Sequence, residues 1–121
     1  MSLTEDQLTA WFEGQRRLDT SRFPIGIGDD MAQVRLEVGD SAFVTTDMLL
    51  EGVHFDLASA TLDQVGYKAM ATSLSDCAAM ATRPLAAVVS LGLPSGFTAE
   101  DVKLLHAGIL RAADRGEKSI P

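Results

Sequence analysis

Between Met70 and Met80 the chain reads Met-Ala-Thr-Ser-Leu-Ser-Asp-Cys-Ala-Ala-Met, a stretch of helical character whose only charge is Asp76. This stretch constrains the fold more than any other. It belongs to a helix expected to open at Thr61-Leu62-Asp63-Gln64, where Thr61 and Gln64 have capping-box spacing. The helix should run to about Ala81 and stop near Arg83-Pro84, because the residue before a proline disfavours the helical region. Its side chains are small (Gly66, Ala69, Ala71, Ser73, Ala78, Ala79), so another backbone can come close. Asp76 then has two readings. It faces water, or it is buried, which costs several kcal/mol unless the carboxylate is paired or metal-bound.

The flanking sequence supplies the other layers. A short amphipathic helix to about Arg16 carries Leu8, Trp11 and Phe12 on one face, with Ser2/Glu5 and Thr4/Gln7 as equally good capping registers. The pair Arg16-Arg17 is an anion contact or a solvated helix end favoured by the macrodipole. Phe23 to Asp30 suggests a strand entering a tight turn. Gln33–Val38 and Ser41–Thr46, broken by Gly39-Asp40, read as a hairpin with one buried face. Ala86–Leu93 is an apolar strand. Thr98 starts a last helix with Val102, Leu105, Ile109 and Ala113 on its inner face and Gly116 to end it. The order helix, strand, hairpin, helix, strand, helix fits an α+β (α/β layered) domain spanning residues 1–121. After Gly116 a further strand is expected where the chain stops, so it reads as an interrupted chain.

Charge and composition exclude several classes. Residues 23–82 hold nine acids and two bases, Arg35 and Lys68, and so carry the entire net charge of −7. Such a surface repels phosphate polyanions, which argues against a nucleic-acid partner. No segment reads as a membrane span or a signal peptide, so a cytoplasmic location is the default. The single cysteine, Cys77, excludes an intrachain disulfide and reads as packing, with no electropositive neighbour to activate it. Aromatics make up only 6% of residues, so a partner surface would help to complete the core.

Three acid sites recur beside hydroxyls or glycines. Asp29-Asp30 follows Gly26-Ile27-Gly28, where backbone amides can approach an oxygen ligand; a plain surface turn is the other reading. Thr45-Thr46-Asp47 ends an apolar strand and offers oxygen ligands suited to magnesium, or it is a strand-terminal turn. Asp76 is the third. Magnesium with such ligands usually means phosphate chemistry. No Walker-type Gly-Lys-Ser/Thr and no strand-borne kinase lysine motif is present, so phosphates would be held mainly through metal ions. His54, in Glu51-Gly52-Val53-His54-Phe55, is a substrate or proton-transfer group, or a structural histidine beside Phe55. His106 reads as structural, and Met48, Met70 and Met80 as core filler.

Taken together, Gly26–Asp30, Thr45–Phe55 and Lys68–Met80 resemble thiamine-monophosphate kinase, within the superfamily of aminoimidazole ribonucleotide synthetase, selenophosphate synthetase and the hydrogenase-maturation dehydratase. The middle segment is the most specific. The similarity runs from about Leu8 to about Ala113. It implies ATP-dependent phosphorylation of thiamine monophosphate to thiamine diphosphate, with several magnesium ions. Carried over by motif, Asp30, Thr45, Thr46, Asp47 and Asp76 match metal-ligand positions, and His54 matches a substrate-contacting one. The resemblance also implies a mixed sheet packed by helices and completed by homodimerisation. Family members continue into a Gly-Gly-Asp segment and a C-terminal domain. This chain reads Arg115-Gly116-Glu117-Lys118-Ser119-Ile120-Pro121 there and corresponds to the N-terminal ATP- and magnesium-binding part alone.

Overall fold

The computed structural model describes residues 4–15 and 19–118. The chain divides into two compact units, residues 1–42 and 43–121. The described residues contain three helices, α1 (Glu5–Gly14), α2 (Leu62–Ala79) and α3 (Ala99–Lys118), and no extended strand.

In the first unit, α1 begins at Thr4. The Thr4 hydroxyl accepts from the Gln7 N–H at 3.2 Å, and the Gln7 side chain accepts from the Thr4 N–H at 3.1 Å. Two of the helix's orphan donors are thereby satisfied, which selects the Thr4/Gln7 register. The Ser2 alternative and the Arg16-Arg17 pair lie outside the described residues. Trp11 and Phe12 meet edge to face with centroids 5.2 Å apart. Further along, Gln33 N–H donates to the Ile25 carbonyl at 2.8 Å and Arg35 N–H to that of Arg22 at 2.7 Å. Phe23 is buried at the base of this loop. The glycine-acid motif forms its tip, with Gly28 at φ +114°, where a side chain would be strained.

In the second unit, α2 and α3 pack with almost no space between their backbones. A Cβ on Gly66 would lie 2.1 Å from the Leu105 carbonyl oxygen, and one on Gly108 would lie 1.9 Å from that of Asp63. The small residues of α2 do admit another backbone, and the one admitted is α3. Val65, Val102, Leu105 and Ala112 are buried around this crossing. Asp63 pairs with Arg111 at 3.1 Å, whose guanidinium lies over the Tyr67 ring, and Arg115 donates to the Tyr67 hydroxyl at 3.1 Å. Leu74 faces Gly116 further along. From the Asp63–Gly108 contact to the Leu74–Gly116 contact both helices advance toward their C-termini, so α2 and α3 run in the same sense and residues 80–98 return the chain.

Several expectations need correction. Gly116 does not end α3, which continues to Lys118. Its missing side chain instead makes room for Leu74, whose Cδ1 would sit 2.6 Å from a Cβ there. Val102 and Leu105 lie buried on the inner face of α3 as expected, Ile109 is half-buried with its nitrogen near Gly66, Ala113 is half-buried, and Gly108 and Ala112 join the buried face. α2 ends at Ala79, short of the proline. Ala81 adopts φ +55°, its N–H donates to the Ala78 carbonyl at 3.1 Å, and the Thr82 N–H donates to Cys77 at 2.9 Å. This is a Schellman termination with alanine where glycine is usual. Met48 and Met80 are exposed and fill no core.

The mixed sheet is not present among the described residues. Among these residues the ladder contacts are isolated bridges, Ile25 with Gln33 and Glu51 with Phe55. Ser41–Thr46 and Ala86–Leu93 run without strand partners, and their apolar side chains stand in solvent, with Val44 86% and Val88 91% exposed. A helix closes its hydrogen bonds within its own segment, whereas a strand closes them only against another strand. The helices therefore form as expected and these β-type segments do not.

Candidate functional site

The residues that concern function in the second unit converge on one side of α2. The Thr45 hydroxyl, at the end of the apolar segment, donates to Asp76 Oδ2 at 3.3 Å. Asp76 is exposed, which resolves its two readings in favour of water, with no desolvation to compensate. Thr46 and Asp47 follow Thr45 and are also exposed.

Past them, residues 50–57 close into a turn. Val53 and His54 N–H groups donate to the Leu50 carbonyl at 3.2 and 2.9 Å, and Gly52 N–H donates to that of Phe55 at 2.7 Å. Gly52 sits at φ +83°, which explains the glycine. The Glu51 carboxylate accepts from the Leu57 N–H at 3.2 Å, so that acid has a local structural role. His54 Nδ1 accepts from the Leu50 N–H at 2.9 Å. The neutral ring then carries its proton on Nε2.

The Lys68 ammonium donates to the His54 carbonyl and joins this turn to α2. Lys68 and Asp76, eight residues apart and so about 12 Å along the helix, line one open depression of about 490 Å³ with Tyr67, Ala71, Thr72 and Ser75. It offers one ammonium, one carboxylate and three hydroxyls. The Thr72 hydroxyl donates to the Lys68 carbonyl at 2.7 Å, within the helix.

In the first unit, Asp29 and Asp30 are exposed in the turn that begins at Ile27, and the Glu13 carboxylate lies against Gly28, within 3.2 Å of where a Cβ would be. In neither unit do three or more His, Cys, Asp or Glu side chains gather to hold a metal ion, among the described residues. The donor set that is assembled, the Asp76 carboxylate with the Thr45 hydroxyl, nevertheless fits magnesium. Both are exposed oxygens, and magnesium commonly takes one or two carboxylates and keeps several waters. His106 is half-buried in α3, and Cys77 is half-buried and free.

Sequence reasoning missed Lys68. The signal was there: it is one of only two bases in the acidic segment 23–82 and lies two helical turns before Asp76. What the sequence could not give is its contact with a turn fourteen residues upstream.

An exposed acid on a helix of small residues, met by a hydroxyl from the preceding segment, with a histidine turn tied to the same helix through Lys68, is the local pattern. Residues 28–119 match the family described as AIR synthase related protein, N-terminal domain, and the chain belongs to that family. Among curated relatives, the thiamine-monophosphate kinase of Bacillus subtilis is 37% identical over 94 residues, covering 78% of this chain and 29% of that protein. The thiamine-monophosphate kinase of Rhodopirellula baltica is 34% identical over 123 residues, covering 96% of this chain and 39% of that protein. The enzyme of that name from Corynebacterium glutamicum is 41% identical over 83 residues, covering 68% of this chain and 25% of that protein. The chain thus spans well under half the length of these relatives. No solved structure matches it. No helix among the described residues is long and apolar enough to cross a membrane.

Proposed function

We propose that this chain forms the N-terminal part of a cytoplasmic, homodimeric enzyme that transfers the terminal phosphoryl group of ATP to thiamine monophosphate, giving thiamine diphosphate. The relatives' names support the reaction class. The observation that carries the site is the Thr45–Asp76 hydrogen bond, which unites two of the three motif segments. Asp30, Thr45, Thr46, Asp47 and Asp76 are the residues to hold magnesium, and His54 is the one to contact substrate. Bound magnesium neutralises the negative charge that accumulates when two phosphates meet.

The chain's own residues supply the rest. The acceptor is already a phosphate anion, so no strong base is needed, and the barrier is dominated by charge and positioning. His54, with its proton on Nε2, presents a neutral donor for a substrate oxygen. Asp47 and Asp76 fix the position of positive charge. The test is phosphorylation of thiamine monophosphate by the full-length protein with magnesium and ATP. Asp47→Asn and Asp76→Asn should each lower the rate by about 100-fold or more; rates within twofold of wild type refute the ligand assignment.

A second reading rests on the exposed apolar segments around Val44 and Val88. It makes these residues a non-catalytic self-association module. Sedimentation at several concentrations decides: a strict monomer removes both that module and the proposed homodimer. A sister enzyme acting on another phosphorylated or carboxylated substrate is separated by competition binding with thiamine monophosphate.

A further inference from the structure

We propose that Lys68 is a positioning residue: through the His54 carbonyl it fixes the turn 50–55 on α2 and so sets the orientation of the His54 ring. The turn contains a closed circuit of its own. The His54 N–H donates to the Leu50 carbonyl, and the Leu50 N–H donates back to His54 Nδ1, both at 2.9 Å. That circuit fixes the ring relative to the turn, but residues 50–54 are all exposed and the half-buried apolar side chains, Phe55 and Leu57, lie only after the histidine. Lys68 supplies a polar anchor from the second turn of α2. A hydrogen bond from an ionised donor is about twice as strong as a neutral one. The carbonyl it engages belongs to His54 itself, so the anchor acts on the residue that bears the ring. The helix underneath is immobilised in turn by α3, since Gly66 and Tyr67, the residues just before Lys68, are the ones that meet Leu105, Arg111 and Arg115. A rigid path therefore runs from the α2–α3 contact through Lys68 to the imidazole. Lys68 also lines the depression that holds Asp76, so the same ammonium sets the spacing between the histidine turn and the carboxylate.

The consequence for function rests on the reading of His54 as a substrate contact, but the structural claim is testable without it. The full-length protein is labelled with ¹⁵N and ¹³C, and the His54 ring signals are assigned with His54→Gln. In the wild-type protein, a trans-hydrogen-bond coupling between Lys68 Nζ and the His54 carbonyl carbon is expected, with His54 in the Nε2–H tautomer. Absence of that coupling, or averaged ring nitrogens, overturns the proposal without any variant. Lys68→Met keeps an unbranched side chain one atom shorter and removes the donor. It should bring the ring nitrogens toward tautomeric averaging and speed exchange of the Leu50 amide, while Lys68→Arg restores both. Unchanged ring signals in a folded Lys68→Met protein also overturn it. In turnover, Lys68→Met should raise KM for thiamine monophosphate about tenfold, the worth of roughly one hydrogen bond, with kcat little changed. If His54→Gln leaves KM unaltered while the spectra behave as expected, the substrate role of His54 fails and the positioning role of Lys68 stands.

Discussion

Replacing Gly66 by alanine should weaken the second unit, although alanine is the better helix former. The helical preference alone favours alanine by about 1 kcal/mol. Against it stands the 2.1 Å separation between a Cβ at this position and the Leu105 carbonyl oxygen, with the Leu105 carbonyl carbon at 3.0 Å and the Ile109 nitrogen at 3.1 Å. Carbon–oxygen contacts close at about 3.3 Å, so the helices must separate by roughly 1 Å. The obstructing atoms are backbone and have no rotamer to escape into. A gap of that size forfeits a quarter to a half of the dispersion attraction across the contact, which here includes Val65, Val102, Leu105 and Ala112. Overpacking of this kind costs about 1–3 kcal/mol, and a rigid obstacle places it at the upper end. The net expectation is a loss of about 2 kcal/mol, or a Tm about 8–16 °C lower for a unit of this size. Thermal unfolding followed by far-UV circular dichroism, with urea titration alongside, measures it. Gly14→Ala in α1 is the control, because nothing lies within 4 Å of the new Cβ, and it should be neutral or slightly stabilising. A Gly66→Ala protein that melts at or above the wild-type temperature would show that α2 and α3 do not meet through this glycine.

Other changes follow from the same structure. Ala81→Gly should stabilise by about 1 kcal/mol, since a non-glycine residue in the left-handed region is strained by roughly 1–2 kcal/mol and the looser unfolded chain offsets part of the relief; a lowered urea midpoint would contradict the Schellman termination. Asp63 is held below its usual 3.8 by the Thr61 hydroxyl first and by Arg111 second. Its folded-state value is depressed, so its contribution to stability is present above the unfolded pKa and is lost as pH falls through the folded value. The stability gap between wild type and Asp63→Asn should therefore narrow below pH 3.8, and a gap that stays constant as the pH falls below that value would show that the carboxylate's charge is irrelevant. Asp76→Asn should weaken magnesium binding to the full-length protein about tenfold or more in calorimetry, and an unchanged affinity would remove Asp76 from the ligand set.

The three helices and their starts were legible because their signals are local. The capping pairs Thr4/Gln7 and Thr61/Gln64 form hydrogen bonds between residues three apart, and no distant residue is needed to decide them. Thr98 with Asp101 closes a similar reciprocal pair. The candidate site was legible only in part. The run Thr45-Thr46-Asp47 and the lone acid Asp76 stood out as residue types in unusual settings, but their meeting through Thr45 crosses thirty-one residues of chain. Lys68 carried no visible role until its partner was a backbone carbonyl, which has no identity in a sequence pattern.

By itself, the sequence determined where helices start, which segment carries the acidic charge, and that α2 is thin enough for close approach. Helix formation and capping are settled within a few residues, and charge is additive along a chain. Tertiary structure decided that α3 is what fills that approach, that Gly116 is a packing site for Leu74 and not a terminus, and that Asp76 meets Thr45 in water rather than in a core. It also left Ser41–Thr46 and Ala86–Leu93 without ladders. Each of these depends on which surfaces meet, and strand pairing above all requires a second strand at hydrogen-bonding distance, whatever the propensity of the first.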